Sequence, residues 1–194
     1  MNTTQNEKRS RLPRITEMAH QLLAARIQRG DIVVDATAGN GHDTLFLAEL
    51  VGDMGQVHAY DVQIDAIKTT GERLMTQGYE NRVTLHHDSH TAIRELDDAL
   101  QAVIFNLGYL PGSDKTVITK ADDTIAAVEE ALLHLRSGGI VVLVVYVGHT
   151  GGEAEAKALE AYVRALPVRD YLVLKYEYIN PDNRPPYIIA IEKK

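Results

Sequence analysis

The stretch Asp31-Ile32-Val33-Val34-Asp35-Ala36-Thr37-Ala38-Gly39-Asn40-Gly41-His42-Asp43-Thr44 decides the fold. Its opening run is apolar and rich in β-branched residues, the pattern of a strand buried on both faces. It breaks at Gly39 and Gly41 and resumes as Leu45-Phe46-Leu47-Ala48-Glu49-Leu50, a good helix. Strand, glycine turn and helix form the first unit of a nucleotide-binding α/β fold. The glycines permit close backbone approach to a ligand, and the helix start offers unpaired N–H groups. Thr44 occupies the place where a dinucleotide fold prefers a third Gly or Ala, which disfavours a dehydrogenase.

Outward from this unit, strands and helices alternate. Pro13 opens a helix on which Ile15, Met18, Ala19, Leu22, Leu23 and Ile27 recur at helical spacing, and Gly30 ends it. Strands are expected over 56–60, 83–87, 102–105 and 140–147, with a turn at Ser137-Gly138-Gly139 before the last. Helices are expected over 43–51, from Ile64 to Gly78, over 122–135 and over 153–166, with a short one over 91–96. Two closing strands, over 169–178 and 187–192, flank a proline-rich loop. This order predicts a Rossmann-like α/β domain with a seven-stranded, mostly parallel sheet, helices on both faces, and an antiparallel last strand. Residues 1–12 read as a flexible basic arm and 13–194 as one domain.

Composition narrows the function. The 194 residues are 45% hydrophobic, enough for one substantial core. There is no cysteine, which excludes disulfides and thiolate–zinc sites and fits a cytoplasmic protein. The longest apolar run, 140–147, is too short to span a bilayer, so no membrane association is expected. No metal site is expected: His86 and His87 are strand neighbours that point to opposite faces. The net charge of −7 opposes general attraction to nucleic acid, yet residues 1–30 carry a local excess of four positive charges. That excess suits either a solvated helix face or a contact with a polyanion.

Open α/β sheets bind ligands at the carboxyl ends of their strands. Here those ends carry Asp35, Asp61, Asp88, Asn106 and His149. An acid such as Asp35 is unhelpful beside a pyrophosphate but acceptable beside an ammonium. The run Asp35-Ala36-Thr37-Ala38-Gly39-Asn40-Gly41 resembles the first motif of class I methyltransferases, Asp/Glu-x-x-x-Gly-x-Gly. The resemblance implies S-adenosylmethionine (SAM) as cofactor. Asp61, 20 residues past Gly41, would accept from the ribose hydroxyls with Gln63 beside it. Asp88, Ser89 and His90 would line the adenine. Gly39, Asn40, Gly41 and Asp43 would surround the methionine end, with helix capping the alternative for Asp43.

Asn106-Leu107-Gly108-Tyr109 resembles the Asn-Pro-Pro-Tyr motif of amino-methylating nucleic-acid methyltransferases, with both prolines replaced. That resemblance makes Asn106 and Tyr109 the catalytic candidates: an amide that holds the target nitrogen and a ring that stacks on the base. The segments Asn106–Gly112, Tyr146–Glu153 and Asn183-Arg184-Pro185-Pro186, together with the first motif, are similar to a small bacterial family long labelled rRNA methylases. Members methylate the 5-aminomethyl group of 2-thiouridine at the tRNA wobble position. The resemblance implies the tRNA anticodon stem-loop as partner, with Tyr146, His149, Arg184, Arg11 and Arg14 as substrate contacts. A general base is not assigned; His149 and Asp114 are candidates by location. The chain would act as a monomer or homodimer. Other readings are methylation of rRNA or a small molecule, and a non-catalytic SAM-binding sensor.

Overall fold

The structure is a computed structural model and describes residues 12–97, 99–107, 121–148 and 152–194. Its elements follow in order: α1 (Ile15–Ala24), β1 (Ile32–Asp35), α2 (His42–Val51), β2 (Gln56–Tyr60), α3 (Ile64–Gln77), β3 (Val83–His86), β4 (Leu100–Leu107), α4 (Ala121–His134), β5 (Leu135–Val145), α5 (Gly152–Ala165), β6 (Tyr171–Tyr176) and β7 (Tyr187–Lys193). Short 3₁₀ turns, Glu80–Arg82 and His90–Glu95, flank β3. The second of these replaces the short α-helix expected over 91–96. Ser89 caps it by accepting from the Thr91 N–H at 3.3 Å.

The seven strands form one sheet in the order β3-β2-β1-β4-β5-β7-β6. β1 to β5 pair in parallel, and β7 runs antiparallel to both β5 and β6. β6 therefore points the same way as β1 to β5. The carboxyl ends of six strands and the 177–186 connection share one edge of the sheet.

Alternation within the central strands divides the core in two. Val34, Val103, Phe105, Val141 and Leu143 face α4 and α5, where Ala127, Val128, Leu132, Leu159 and Val163 cover them. Val33, Ala102, Ile104, Val142 and Val144 face the other way, under Ile15, Ala19 and Leu23 of α1 and Leu47, Ala48 and Val51 of α2. Both faces of β4 and β5 are thus dry, which is why these strands read as continuous apolar runs.

Two expectations need adjustment. The first helix ends at Ala24, so Ile27 is buried in the core but lies outside the helix. The turn at 137–139 lies inside β5. Leu135 pairs with Leu100 and Ile140 with Ala102, so residues 136–139 bulge out of the ladder. The bulge is fixed by Arg136, which bonds Gln101 and reaches Asp31 at 2.5 Å. Gln101 donates in turn to the Arg26 carbonyl at 2.8 Å.

Candidate active site

The β1–α2 turn is built on its own backbone and on two acids. Asp35 is wholly buried at the end of β1. One of its oxygens accepts from the Thr44 hydroxyl at 2.6 Å and the other from the Thr37 N–H at 3.1 Å. Burial, with the nearby Asp43 and Asp61 carboxylates, pushes its pKa up to about 7 against the opposing pull of the Thr44 and Thr37 bonds. Asp35 therefore holds the turn from beneath.

Asp61 bridges the neighbouring loops. Its Oδ2 accepts from the Gly39 N–H at 2.8 Å and its Oδ1 from the Gln63 N–H at 2.9 Å. A carboxylate has about four acceptor positions, so roughly two remain for a ligand's hydroxyl pair. Gly39 has φ +52° and Gly41 φ +80°, both in the left-handed region. A Cβ on Gly41 would stand 2.9 Å from Thr70 Oγ1 and 3.1 Å from Thr70 Cα. The second glycine is thus required by the approach of α3.

On the β4 side the site is assembled from side chains. Asn106 follows the parity of Ala102 and Ile104 and so faces α1 and α2. Its backbone N–H donates to Thr37 Oγ1 at 2.7 Å. Its Nδ2 donates to Asp43 Oδ2 at 3.1 Å. The other Asp43 oxygen lies 2.7 Å from His20 Nε2, and the His20 ring stacks on Phe46 with centroids 3.8 Å apart. Asp43 does not cap α2. It sits in the helix's first turn, where a negative charge is favoured, and joins α1 to β4. Since a carboxylate only accepts, the bond to Nδ2 fixes the amide so that Asn106 Oδ1 is free to accept from something else.

Tyr146 lies just past β5 on the same side of the sheet, packed against the α1/α2 core. Burial, and next the Asp43 carboxylate, holds its hydroxyl above the ordinary value. On the far side of the cleft, Asp88 is exposed and accepts from the Ser89 N–H at 2.7 Å. His90 is edge-on to Phe105, and its Nε2 is buried without a hydrogen-bond partner among the described residues. Burial pulls the His90 pKa down against the Asp123 and Asp61 charges, so the ring is a neutral wall.

The rim carries the basic residues. Arg14 is exposed at the start of α1, and its N–H donates to Glu17 at 2.9 Å. The Tyr176 and Tyr178 hydroxyls both donate to the Pro13 carbonyl, at 3.2 and 2.5 Å. That pins the chain just after the basic arm to the carboxyl end of β6. Arg184 has φ +38° and pairs with Glu153 of α5. Tyr109, His149, Arg11 and Asp114 lie outside the described residues.

The structure thus brings together Asp35, Gly39, Gly41, Asp43, Asp61, Asn106 and Tyr146 around one cleft. Asn40 and Gln63 sit half-buried on its two loops. His20 is the residue that sequence reading missed. Its only signal was a polar side chain on a helix otherwise read for its apolar stripe. Among the described residues no three His, Asp or Glu side chains gather as a metal site. The donor set fits SAM. Asp35, Asp43 and Asp61 gather acidic groups at one end of the site, which suits a ligand bearing ammonium and sulfonium and would repel a pyrophosphate.

Comparison with known proteins agrees. Residues 57–192 match the family described as "Putative rRNA methylase". A curated relative from Arabidopsis thaliana, "tRNA (mnm(5)s(2)U34)-methyltransferase, chloroplastic", is 38% identical over 191 residues, covering 92% of this chain and 69% of the relative. A solved "putative rRNA-methylase" from Clostridium thermocellum superposes with TM-score 0.93 at 36% identity, covering 95% of this chain and all of that one. A "putative methyltransferase" from Streptococcus mutans in complex with SAH gives TM-score 0.88 at 35% identity with the same coverages. The Arabidopsis relative is chloroplastic, so the likeness assigns no compartment here; among the described residues no helix is long and apolar enough to cross a membrane. A glycine turn closed by Asp35 and Asp61, an amide at the end of β4, and this agreement in sequence and shape lead to one conclusion: the chain belongs to the rRNA-methylase family of SAM-dependent methyltransferases.

Proposed function

We propose that this enzyme methylates the exocyclic amine of 5-aminomethyluridine, with or without the 2-thio group, at the wobble position of tRNA. The observation that carries the reading is the Asn106 amide. Asp43 holds its Nδ2, so Oδ1 is presented as an acceptor beside a carboxylate. An acceptor next to an anion favours a nucleophile rich in N–H donors, as an aliphatic amine is. The curated relative's name supports the same substrate.

SAM, when bound, supplies an electrophilic methyl on a sulfonium. The chain's residues must present the amine unprotonated and in line. Burial at the cleft floor disfavours the ammonium form, and Asn106 Oδ1 accepts an N–H while leaving the nitrogen lone pair free to attack. The N–C bond forms as the S–C bond breaks, the thioether leaves, and one proton goes to solvent. The wobble base would be splayed from its loop and stacked on an aromatic side chain, the role proposed for Tyr109. His149 and Arg11 keep their proposed place as RNA contacts, beside Tyr146, Arg14 and Arg184.

RNA contacts concentrate on the rim, since the overall charge of −7 opposes general attraction. The Tyr176 and Tyr178 bonds support this by holding Pro13, the residue that follows the basic stretch 1–12, at that edge of the sheet. A tRNA substrate also favours the cytoplasm. The test is methyl transfer from labelled SAM to separated RNA classes, followed by nucleoside mass spectrometry. The expected product is methylaminomethyl uridine in tRNA bearing the aminomethyl base. Label in rRNA alone would support the ribosomal reading, and no turnover with any RNA would favour a sensor.

A further inference from the structure

We infer that His20 is a positioning residue for methyl transfer, acting on the substrate nitrogen through Asp43 and Asn106. The inference rests on the amine-methylation reading above. Three residues far apart in sequence form one chain of contacts. His20 Nε2 is 2.7 Å from Asp43 Oδ1, and Asp43 Oδ2 is 3.1 Å from Asn106 Nδ2. Because the carboxylate can only accept, Nε2 must carry the proton in the first contact. The ring is held for that task by its stack on Phe46, the two planes nearly parallel at 6°. The His20 side chain is 31% exposed and that of Asp43 14%, so the contact lies between solvent and the cleft.

The consequence concerns the Asn106 amide. Rotated by half a turn, the amide would turn Nδ2 toward the substrate and compete with its nitrogen as a donor. Asp43 forbids that rotamer only while its own carboxylate is held in place. Among the described residues, the side chains bonded to the Asp43 carboxylate are His20 and Asn106 itself. His20, reaching across from α1, is the group that fixes Asp43. A loose Asp43 lets Asn106 sample the wrong orientation, and small misplacements of this kind are costly in rate.

The experiment uses the full-length protein, SAM and tRNA carrying the aminomethyl base. His20→Phe keeps an aromatic ring against Phe46 but removes the donor. His20→Gln places an amide donor near the former Nε2. The expected result for His20→Phe is a fall in kcat of about 10- to 100-fold with SAM affinity within about twofold of wild type. His20→Gln should recover most of that loss. A His20→Phe enzyme as active as wild type would overturn the inference. So would equal damage in both variants, which would point to the imidazole as a proton carrier. Failure of the wild-type enzyme to methylate this tRNA would instead overturn the underlying reading. Thermal unfolding of each variant separates these outcomes from misfolding.

Discussion

The two walls of the cleft are built on different principles. The β1/β2 wall is held by acids bonded to nearby backbone N–H groups and, for Asp35, to the Thr44 hydroxyl as well. Asp35 reaches Thr37 and Thr44, and Asp61 reaches Gln63 and Gly39. The β4 wall is held by side chains that meet across the fold: His20 from α1, Asp43 from α2, Asn106 from β4. The first arrangement makes a rigid cradle that any SAM-dependent fold could use. The second depends on helix packing and can be tuned to one nucleophile. The contrast predicts that damage to the first wall appears in cofactor affinity and damage to the second in turnover.

The largest expected effect is on the second wall. Asn106→Ala should lower kcat by about 10²–10³-fold, with SAM affinity little changed, the result expected of the amide contact proposed at the reacting centre. The Asn106 backbone bond to Thr37 survives the substitution, so the strand end should keep its course. Asn106→Asp should be impaired most at neutral pH and partly recover as pH rises, since an added charge holds the amine protonated. Stopped-flow turnover beside calorimetry with SAM checks both. A loss confined to cofactor binding would erase the contrast between the walls.

Next comes Asp61 on the first wall. Asp61→Ala should weaken SAM binding by on the order of 1.5–3 kcal/mol, roughly ten- to a hundredfold, with kcat at saturating SAM nearly preserved. Asp61→Asn is the finer probe, because it keeps the shape while replacing one acceptor oxygen with a donor. Calorimetry that finds wild-type affinity in both folded variants would remove Asp61 from the ribose.

How legible each wall was in the sequence follows from the same difference. The first wall's partners lie within nine residues of each other, or at the ends of adjacent strands. The Gly-x-Gly spacing and the acid after the second strand therefore announced it. The strand ends marked by Asp35, Asp61 and Asn106 also fixed the sheet edge that matters. The second wall joins positions 20, 43 and 106, and no local pattern shows that α1 lies over α2's first turn. Asp43 for that reason looked as much like a helix cap as a site residue. Gly41 was legible as necessary, and the structure adds a reason no local pattern carries: α3's Thr70 stands where its Cβ would be. The parity of β4 could have placed Asn106 on the α1/α2 side, had the strand been read to its true end at Leu107.

A smaller effect sharpens the comparison through pH. The Asp35 pKa, about 7 in the folded state, lies above the ordinary 3.8. The folded protein thus binds that proton more tightly than the unfolded chain. Its contribution to stability is full below about pH 4 and is lost as pH rises through about 7. Relative to Asp35→Asn, which stays neutral, wild-type stability should decline across this window by a few kcal/mol, at about 1.4 kcal/mol for each pH unit between the two pKa values. Denaturant unfolding of both proteins at several pH values measures the difference. Parallel profiles would mean that Asp35 is ionised throughout. SAM should flatten the wild-type decline, since a cationic ligand favours the ionised carboxylate.

The smallest expected effect lies on the rim that both walls share. Arg14 and Arg184 are exposed, and Arg184 is paired with Glu153 at a site where both side chains are more than half exposed. Such a pair contributes about 0–1 kcal/mol, so Arg184→Ala should leave folding stability unchanged. Arg184 nevertheless holds φ +38°, an unusual conformation for a residue with a side chain. Its guanidinium, carried on the connection at the strand-end edge of the sheet, is suited to a phosphate. With each arginine meeting one phosphate, the double Arg14→Ala/Arg184→Ala variant should bind tRNA about three- to tenfold more weakly at low salt. Its log–log salt slope should flatten by about 1.4 for single-stranded contacts. SAM affinity and kcat at saturating tRNA should both stay near wild type, because neither wall is touched. A salt slope equal to wild type would show that these arginines are merely solvated. Recognition would then rest on the aromatic and amide groups inside the cleft.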